Sequence, residues 1–216
     1  MVKRIFFAVV IVVTCGFSAN VFGQEPDTIK LDNPSFEDLP SAAHTPRLWF
    51  DCGFQGESSP DTHPNPNGTF GIDKEAFDGY TYLGMVVRDN NTWEAVGQRL
   101  KTPLIKDTTY SFSLSVCRAK AYKSKSQLTG RDDNYNQPII IKIWGGDGFC
   151  TKLNILAESK PIKSNDWQKV GFVLKPKINL TYFLIEAFYK TPTLLPYNGN
   201  ILIDNASAIV PILDKN

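Results

Sequence analysis

The run YSFSLSV at 110–116 alternates large apolar with small polar side chains. A period of two fits a half-buried β-strand and no helix. It sends Tyr110, Phe112, Leu114 and Val116 to one face, and Ser111, Ser113, Ser115 and Cys117 to the other. Segments 80–87, 139–144, 169–174, 182–189 and 201–209 read as further strands, each bounded by Gly, Pro, Asn or Asp. Apolar residues at three-and-four spacing are scarce, and Pro or Gly interrupts most windows of helix length. Six or more strands without helices predict an all-β fold, a two-sheet antiparallel β-sandwich or a barrel; the sandwich is the expectation.

A sandwich closes one core between two sheets, so the chain is expected to hold one domain, 31–210. A polar lead-in, 24–30, precedes it, and a short tail, 211–216, follows. Three long connections stand out: 51–78, rich in Gly and Pro; 118–138, strongly polar; and 191–200, ending in Asn-Gly. In a compact domain, loops of this length are more often binding apparatus than idle linkers.

The first 23 residues read as a secretory signal. Lys3 and Arg4 precede an apolar run from Ile5 to Val13, and Gly23 stands before the polar Gln24-Glu25-Pro26. The run is shorter than the roughly 20 residues of a membrane span. A rival reading anchors the chain by lipid at Cys15, but Thr14 stands where such a site takes Gly, Ala or Ser. Either way the protein is expected to be secreted or on the cell surface. With 23 Lys+Arg against 22 Asp+Glu, no basic surplus exists to neutralise phosphates and the evenly scattered Lys supply no local patch, so no nucleic-acid partner is expected. Loss of Lys3 and Arg4 would turn the exported chain slightly acidic.

Export permits disulfides. Cys52 and Cys150 lie in Gly-flanked, loop-like settings and are expected to bridge, leaving Cys117 free inside a strand. The alternative is three reduced thiols, since a domain of this size holds together without a staple.

Catalytic signatures are missing. The chain has no nucleophile elbow, zinc-binding helix motif, Cys-x-x-Cys or phosphate loop. His44 and His63 are the only histidines. Asp61, His63, Ser58 and Ser59 share one loop, a grouping that its composition produces by chance. The expectation is a non-catalytic protein. A hydrolase would return to consideration if two carboxylates, or Ser58 or Ser59 with His63 and an acid, converged in a pocket.

An ordered series of short motifs is more telling: NPSFE at 33–37 opening the first strand, DGYTYL at 78–83, GQRL at 97–100, TYSFSL at 109–114, DWQKV at 166–170 and ILIDN at 201–205. The series, spanning about 31–210, resembles the galactose-binding-like jelly rolls. In particular it resembles carbohydrate-binding modules that begin with N-x-S-F-E. It is also similar to a group of secreted proteins of the Bacteroidetes type, with WFDCG, GMVVRDN and EAFYKTP as further landmarks. The resemblance implies a structural calcium held by Glu37 and Asp204 where the first and last strands meet, an ion needing several oxygen ligands. The plainer alternative has these two carboxylates accepting backbone hydrogen bonds or capping strand ends.

Sugar recognition wants flat apolar faces and a few planar polar groups. RDNNTWE at 88–94 supplies Arg88, Asp89, Trp93 and Glu94. Its bland reading is a solvated turn in which Trp93 folds onto the core and Arg88 pairs with Asp89 or Glu94. Trp144 precedes two glycines, and Tyr122, Tyr135 and Tyr197 sit in the long loops. Glu186, alone in an apolar strand, is expected to be either a buried, paired acid or the floor of a cleft. The expected function is a carbohydrate- or glycan-binding module, with a glycan or cell-surface polymer as partner. The alternative is an extracellular assembly protein that contacts other surface proteins.

Overall fold

The computed structural model describes residues 27–65 and 68–213. The signal assigned to residues 1–23, with Cys15, lies outside the described residues, as does the end of the tail. In chain order the strands are β1 (Phe50–Asp51), β2 (Asp61–His63), β3 (Tyr82–Arg88), β4 (Thr92–Trp93), β5 (Ala95–Leu104), β6 (Tyr110–Cys117) and β7 (Lys123–Lys125). They continue with β8 (Asp132–Asn134), β9 (Ile139–Gly146), β10 (Asn154–Glu158), β11 (Gln168–Leu174), β12 (Leu180–Tyr189), β13 (Gly199–Asp204) and β14 (Val210–Pro211). One sheet runs β1-β5-β12-β9-β10; the other runs β11-β6-β13-β3-β2, with β4 added to β3 and β14 to β6. Paired strands are antiparallel throughout. The expected sandwich is the fold observed, and β7–β8 forms a separate hairpin.

The period of two does what it predicts. Tyr110, Phe112, Leu114 and Val116 of β6 enter the core between the sheets, as do Phe183, Ile185, Ala187 and Tyr189 of β12. Phe112 and Phe183 meet edge to face at 5.0 Å, and each such side chain contributes roughly 1.5–3 kcal/mol on burial. The opposite face of the β6 sheet is not solvated. Tyr82, Val86, Cys117 and Leu202 form a second apolar cluster there, covered by Ile72, Ala119, Tyr122 and Tyr135 from the long loops.

Three details depart from the expected strands. NPSFE is a turn rather than the first strand: Asn33 and Phe36 have φ of 48° and 53°, and the Asn33 side chain accepts the Glu37 N–H at 2.8 Å. The segment expected as a strand over 201–209 stops at Asp204, where Asn205 turns left-handed at φ 47°. The ten residues of β5 were signalled only by GQRL, because Gly97, Lys101 and Pro103 blur the alternation.

Cys52 and Cys150 are bridged and Cys117 is free and buried, as expected. The bridge ties the loop after β1 to the loop after β9 over the outer face of the β12 sheet, where the Cys52 sulfur lies against Gly97.

Candidate functional site

Alternation along β3 sends Leu83, Met85 and Val87 into the main core and leaves Tyr82, Val86 and Arg88 on the loop-covered face. The neighbouring β2 places Asp61 and His63 on that face too. A cleft of about 90 Å³ opens there, lined by Ala42, Ala43, Ser58, Asp61, Phe70, Val86, Arg88, Glu94, Tyr122, Ser124, Gln127 and Tyr135. Its floor is buried: Asp61, Val86, Arg88, Glu94, Tyr122 and Tyr135 are each at most 5% exposed. Ala43, Ser58 and Gln127 are exposed and form its rim.

Arg88 and Glu94 are paired at the floor. The second Glu94 oxygen accepts the Val86 N–H at 3.0 Å, and the Glu94 N–H donates to the Val86 carbonyl at 3.1 Å. Arg88 also donates to Ser58 Oγ at 2.7 Å, and its Nε lies 3.6 Å from Glu57. Its Nη1 is shut from solvent and has no hydrogen-bond partner among the described residues. A buried donor left single is the kind of exception that marks a site or an ordered guest. Tyr122 donates its hydroxyl to Asp61, whose other oxygen accepts the Ala43 N–H at 2.6 Å. His63 is fully buried, with Nε2 3.6 Å from Asp61.

The electrostatics follow from burial. Burial works against the Arg88 charge, but Glu94 and Glu57 outweigh it and raise its pKa. Burial, with Asp61 alongside, pushes the Glu94 carboxyl above its ordinary value against the pull of Arg88. Burial and then Asp61 and Glu94 push the Tyr122 phenol well up, so it stays a donor. The floor thus offers a guanidinium, a phenol and two carboxyl groups within one small enclosure.

Four of the residues expected to bind ligand, Arg88, Glu94, Tyr122 and Tyr135, come together in this cleft. Asp89 stands beside it and holds its walls, accepting from Ser126 Oγ at 2.6 Å, Gln127 N at 3.1 Å and Asn198 Nδ2 at 3.2 Å. Tyr197 supports the third loop: its hydroxyl accepts the Lys190 N–H at 2.6 Å and donates to the Pro138 carbonyl at 2.9 Å. Trp93 and Trp144 lie elsewhere. Trp93 packs edge-on against Phe54 and Phe188 and lines a separate pocket of about 280 Å³ with Cys52, Gly53, Phe54, Gln55 and Lys152. Trp144 donates its indole N–H to Glu186 at 3.1 Å on the outer face of the other sheet. Glu186, 2% exposed, also pairs with Lys152, so it is the buried, paired acid. A larger, shallow depression runs over the exposed β7–β8 hairpin, from Lys123 to Asn134, but gathers no buried polar group.

Sequence reasoning named Asp61 and Ser58 only as parts of a chance grouping, and missed Ser124, Gln127, Phe70 and the 42–43 segment. The one usable signal was Asp61-x-His63, which strand alternation places on a single face. The rest depends on loops folding back over a sheet.

Glu37 and Asp204 both meet the 77–81 segment. Glu37 Oε1 accepts the N–H groups of Tyr80 at 2.8 Å and Thr81 at 3.2 Å. Asp204 accepts those of Phe77 at 2.8 Å, Asp78 at 2.9 Å and Asn205 at 2.7 Å. Both carboxylates turn oxygens toward backbone N–H donors and pin this segment, as the plainer reading of the pair has it. Among the described residues no group of three or more His, Cys, Asp or Glu is gathered for a metal.

No protein-family model matches the chain, and no curated protein matches it. Solved structures do. A cyclase from Fischerella sp. TAU superposes with a TM-score of 0.56 at 13% identity, over 88% of this chain and 99% of that one. The arabinose-bound MgGH51 α-L-arabinofuranosidase gives a TM-score of 0.56 at 11% identity, over 85% of this chain and 26% of that one. The K3 cleaved adhesin domain of Lys-gingipain from Porphyromonas gingivalis W83 gives 0.50 at 15% identity, over 83% and 96%. Likeness at these identities establishes the jelly-roll-like sandwich and leaves the chemistry to the site.

Proposed function

We propose that this chain is an exported sugar-binding module whose ligand enters the cleft above Arg88. The observation that carries the reading is the meeting of Arg88, Asp61, Glu94 and Tyr122 on one small polar floor. A sugar diol both donates and accepts hydrogen bonds. A guanidinium beside carboxyl groups answers both needs, and buried partners make each bond discriminating. Phe70 stacks on Tyr122 at 4.6 Å, giving the wall an aromatic face of the kind sugar rings pack against. The Cys52–Cys150 bridge supports an oxidising compartment. The same scaffold in the arabinose-bound hydrolase and the adhesin domain is in keeping with this reading.

The floor also sets a preference. Asp61 and Glu94 outnumber Arg88 on the floor, and Glu57 stands 3.6 Å from its guanidinium, so uronate-rich polymers are disfavoured against neutral glycans. A glycan array with both classes tests this: neutral glycans retain the protein, and exclusive retention by acidic ones overturns the reading.

A second reading has one observation in its favour. Asp61 and Glu94 bring two carboxyl groups, with Ser58, into one pocket, the condition under which a hydrolase returns to consideration. Release of reducing ends from a bound glycan, abolished by Asp61→Asn, would support it.

A further inference from the structure

We propose that the cleft receives the end of a neutral glycan chain and not an internal stretch. This rests on the sugar reading of the same cleft. A chain bound along its length must enter and leave, so its site is a groove open at both ends. Here the floor of Asp61, Val86, Arg88, Glu94, Tyr122 and Tyr135 is buried, and exposed lining residues occur only at the rim. The volume of about 90 Å³ is far below the roughly 300–1,000 Å³ of sites that enclose a whole small molecule. It holds the hydroxyl-bearing edge of one terminal residue.

The walls are fixed against parting into a through-groove. On one side Ser41 and Thr62 exchange backbone hydrogen bonds at 2.9 and 3.0 Å, and Ala43 is held by Asp61. On another, Asp89 holds Ser126 and Gln127. On the third, Ser58 is held by Arg88 at 2.7 Å. An internal residue has spent two of its oxygens in glycosidic links. A terminal one presents more free hydroxyls, including a vicinal pair, to the guanidinium and carboxyl groups of the floor.

The test compares xylan, mannan and β-glucan, each intact and after partial endo-hydrolysis, at equal mass in a pull-down with the purified protein. Bound protein is expected to rise in proportion to the number of chain ends. Ser124→Trp, which crowds the rim, is expected to abolish retention, while Leu194→Ser on a remote, exposed loop is expected to leave it unchanged. Equal retention per mass by intact and cleaved polymer overturns the chain-end assignment while the sugar reading stands. Retention by none of the polymers or their fragments overturns both. A Ser124→Trp protein that folds, by circular dichroism, and still binds places the ligand elsewhere and also overturns the assignment.

Discussion

Glu94 closes on the guanidinium of Arg88 across the β3–β4 turn, with each side chain only 4% exposed. The bland sequence reading had this pair in a solvated turn; the structure has the pairing and takes away the solvent. A buried pair is valuable mainly in that neither partner can be removed alone. Glu94→Ala leaves the Arg88 charge buried with only the weaker contact to Glu57, and is expected to lower stability by about 3–5 kcal/mol in urea unfolding. The double variant Arg88→Met with Glu94→Leu is expected to recover a large part of that loss. A double variant no better than the single one would show that the charge pair is not the source.

Gly84 lies on β3 beneath the fully buried ring of His63. A Cβ at Gly84 would come within 2.5 Å of His63 Cδ2. Gly84→Ala is therefore expected to cost about 1–3 kcal/mol by overpacking, and His63→Ala in the same protein is expected to relieve part of it. Thermal unfolding of the three variants checks this, and additive losses would count against the clash.

The Cys52–Cys150 bridge spans 98 residues of sequence, so it restricts the unfolded chain strongly. Its removal in Cys52→Ser/Cys150→Ser is expected to cost about 2–5 kcal/mol, read as a shift in the urea midpoint. An unchanged midpoint would mean that the loop contacts alone hold the two segments together.

Much of the architecture was legible because alternation is a direct imprint of a two-faced strand. Segment 110–116 gave its inward face residue by residue and the two Gly-flanked cysteines gave the bridge, whereas 182–189, apolar on both faces except Glu186, showed only that a strand is there. The site was only half legible. Arg88 and Glu94 are local to one another, and their chemistry shows in the sequence. Asp61, Ser58 and Gln127 reach them only because two long loops fold over the outer face of a sheet, a contact that no local pattern encodes. The aromatic residues misled for a related reason: Trp93 and Trp144 look alike in sequence, yet each is taken up by its own sheet edge or outer face, away from the cleft.

Stability should depend on pH in a defined direction. Burial pushes Asp204 up to about 7, against backbone hydrogen bonds that pull it down. Groups with raised carboxyl pKa values hold protons in the fold that the unfolded chain releases. Stability is therefore expected to fall as pH rises from about 4 toward 7, and this contribution levels off above that range. Melting temperature measured across this window is expected to decline, with a shallower slope in Asp204→Asn. A rise across the same window would contradict the assignment.

Buried phenols give an independent optical check. Burial raises Tyr82, Tyr122, Tyr189 and Tyr197, and lifts Tyr135 to about 12. In an alkaline absorbance titration of the folded protein, these five are expected to ionise above 10, and to return to near 10 once the chain is unfolded in urea. Normal titration in the folded state would mean that the loop cover over Tyr82 and Tyr122 is open.

Binding of a neutral sugar in the Arg88 cleft is measured by isothermal titration of the glycan selected on the array into wild-type and Ser124→Trp protein. Saturable binding to the wild type, weakened at least about tenfold, or 1.4 kcal/mol, in a folded Ser124→Trp variant is the predicted result. Equal affinity in both, or no binding by the wild type to any neutral glycan, would contradict it.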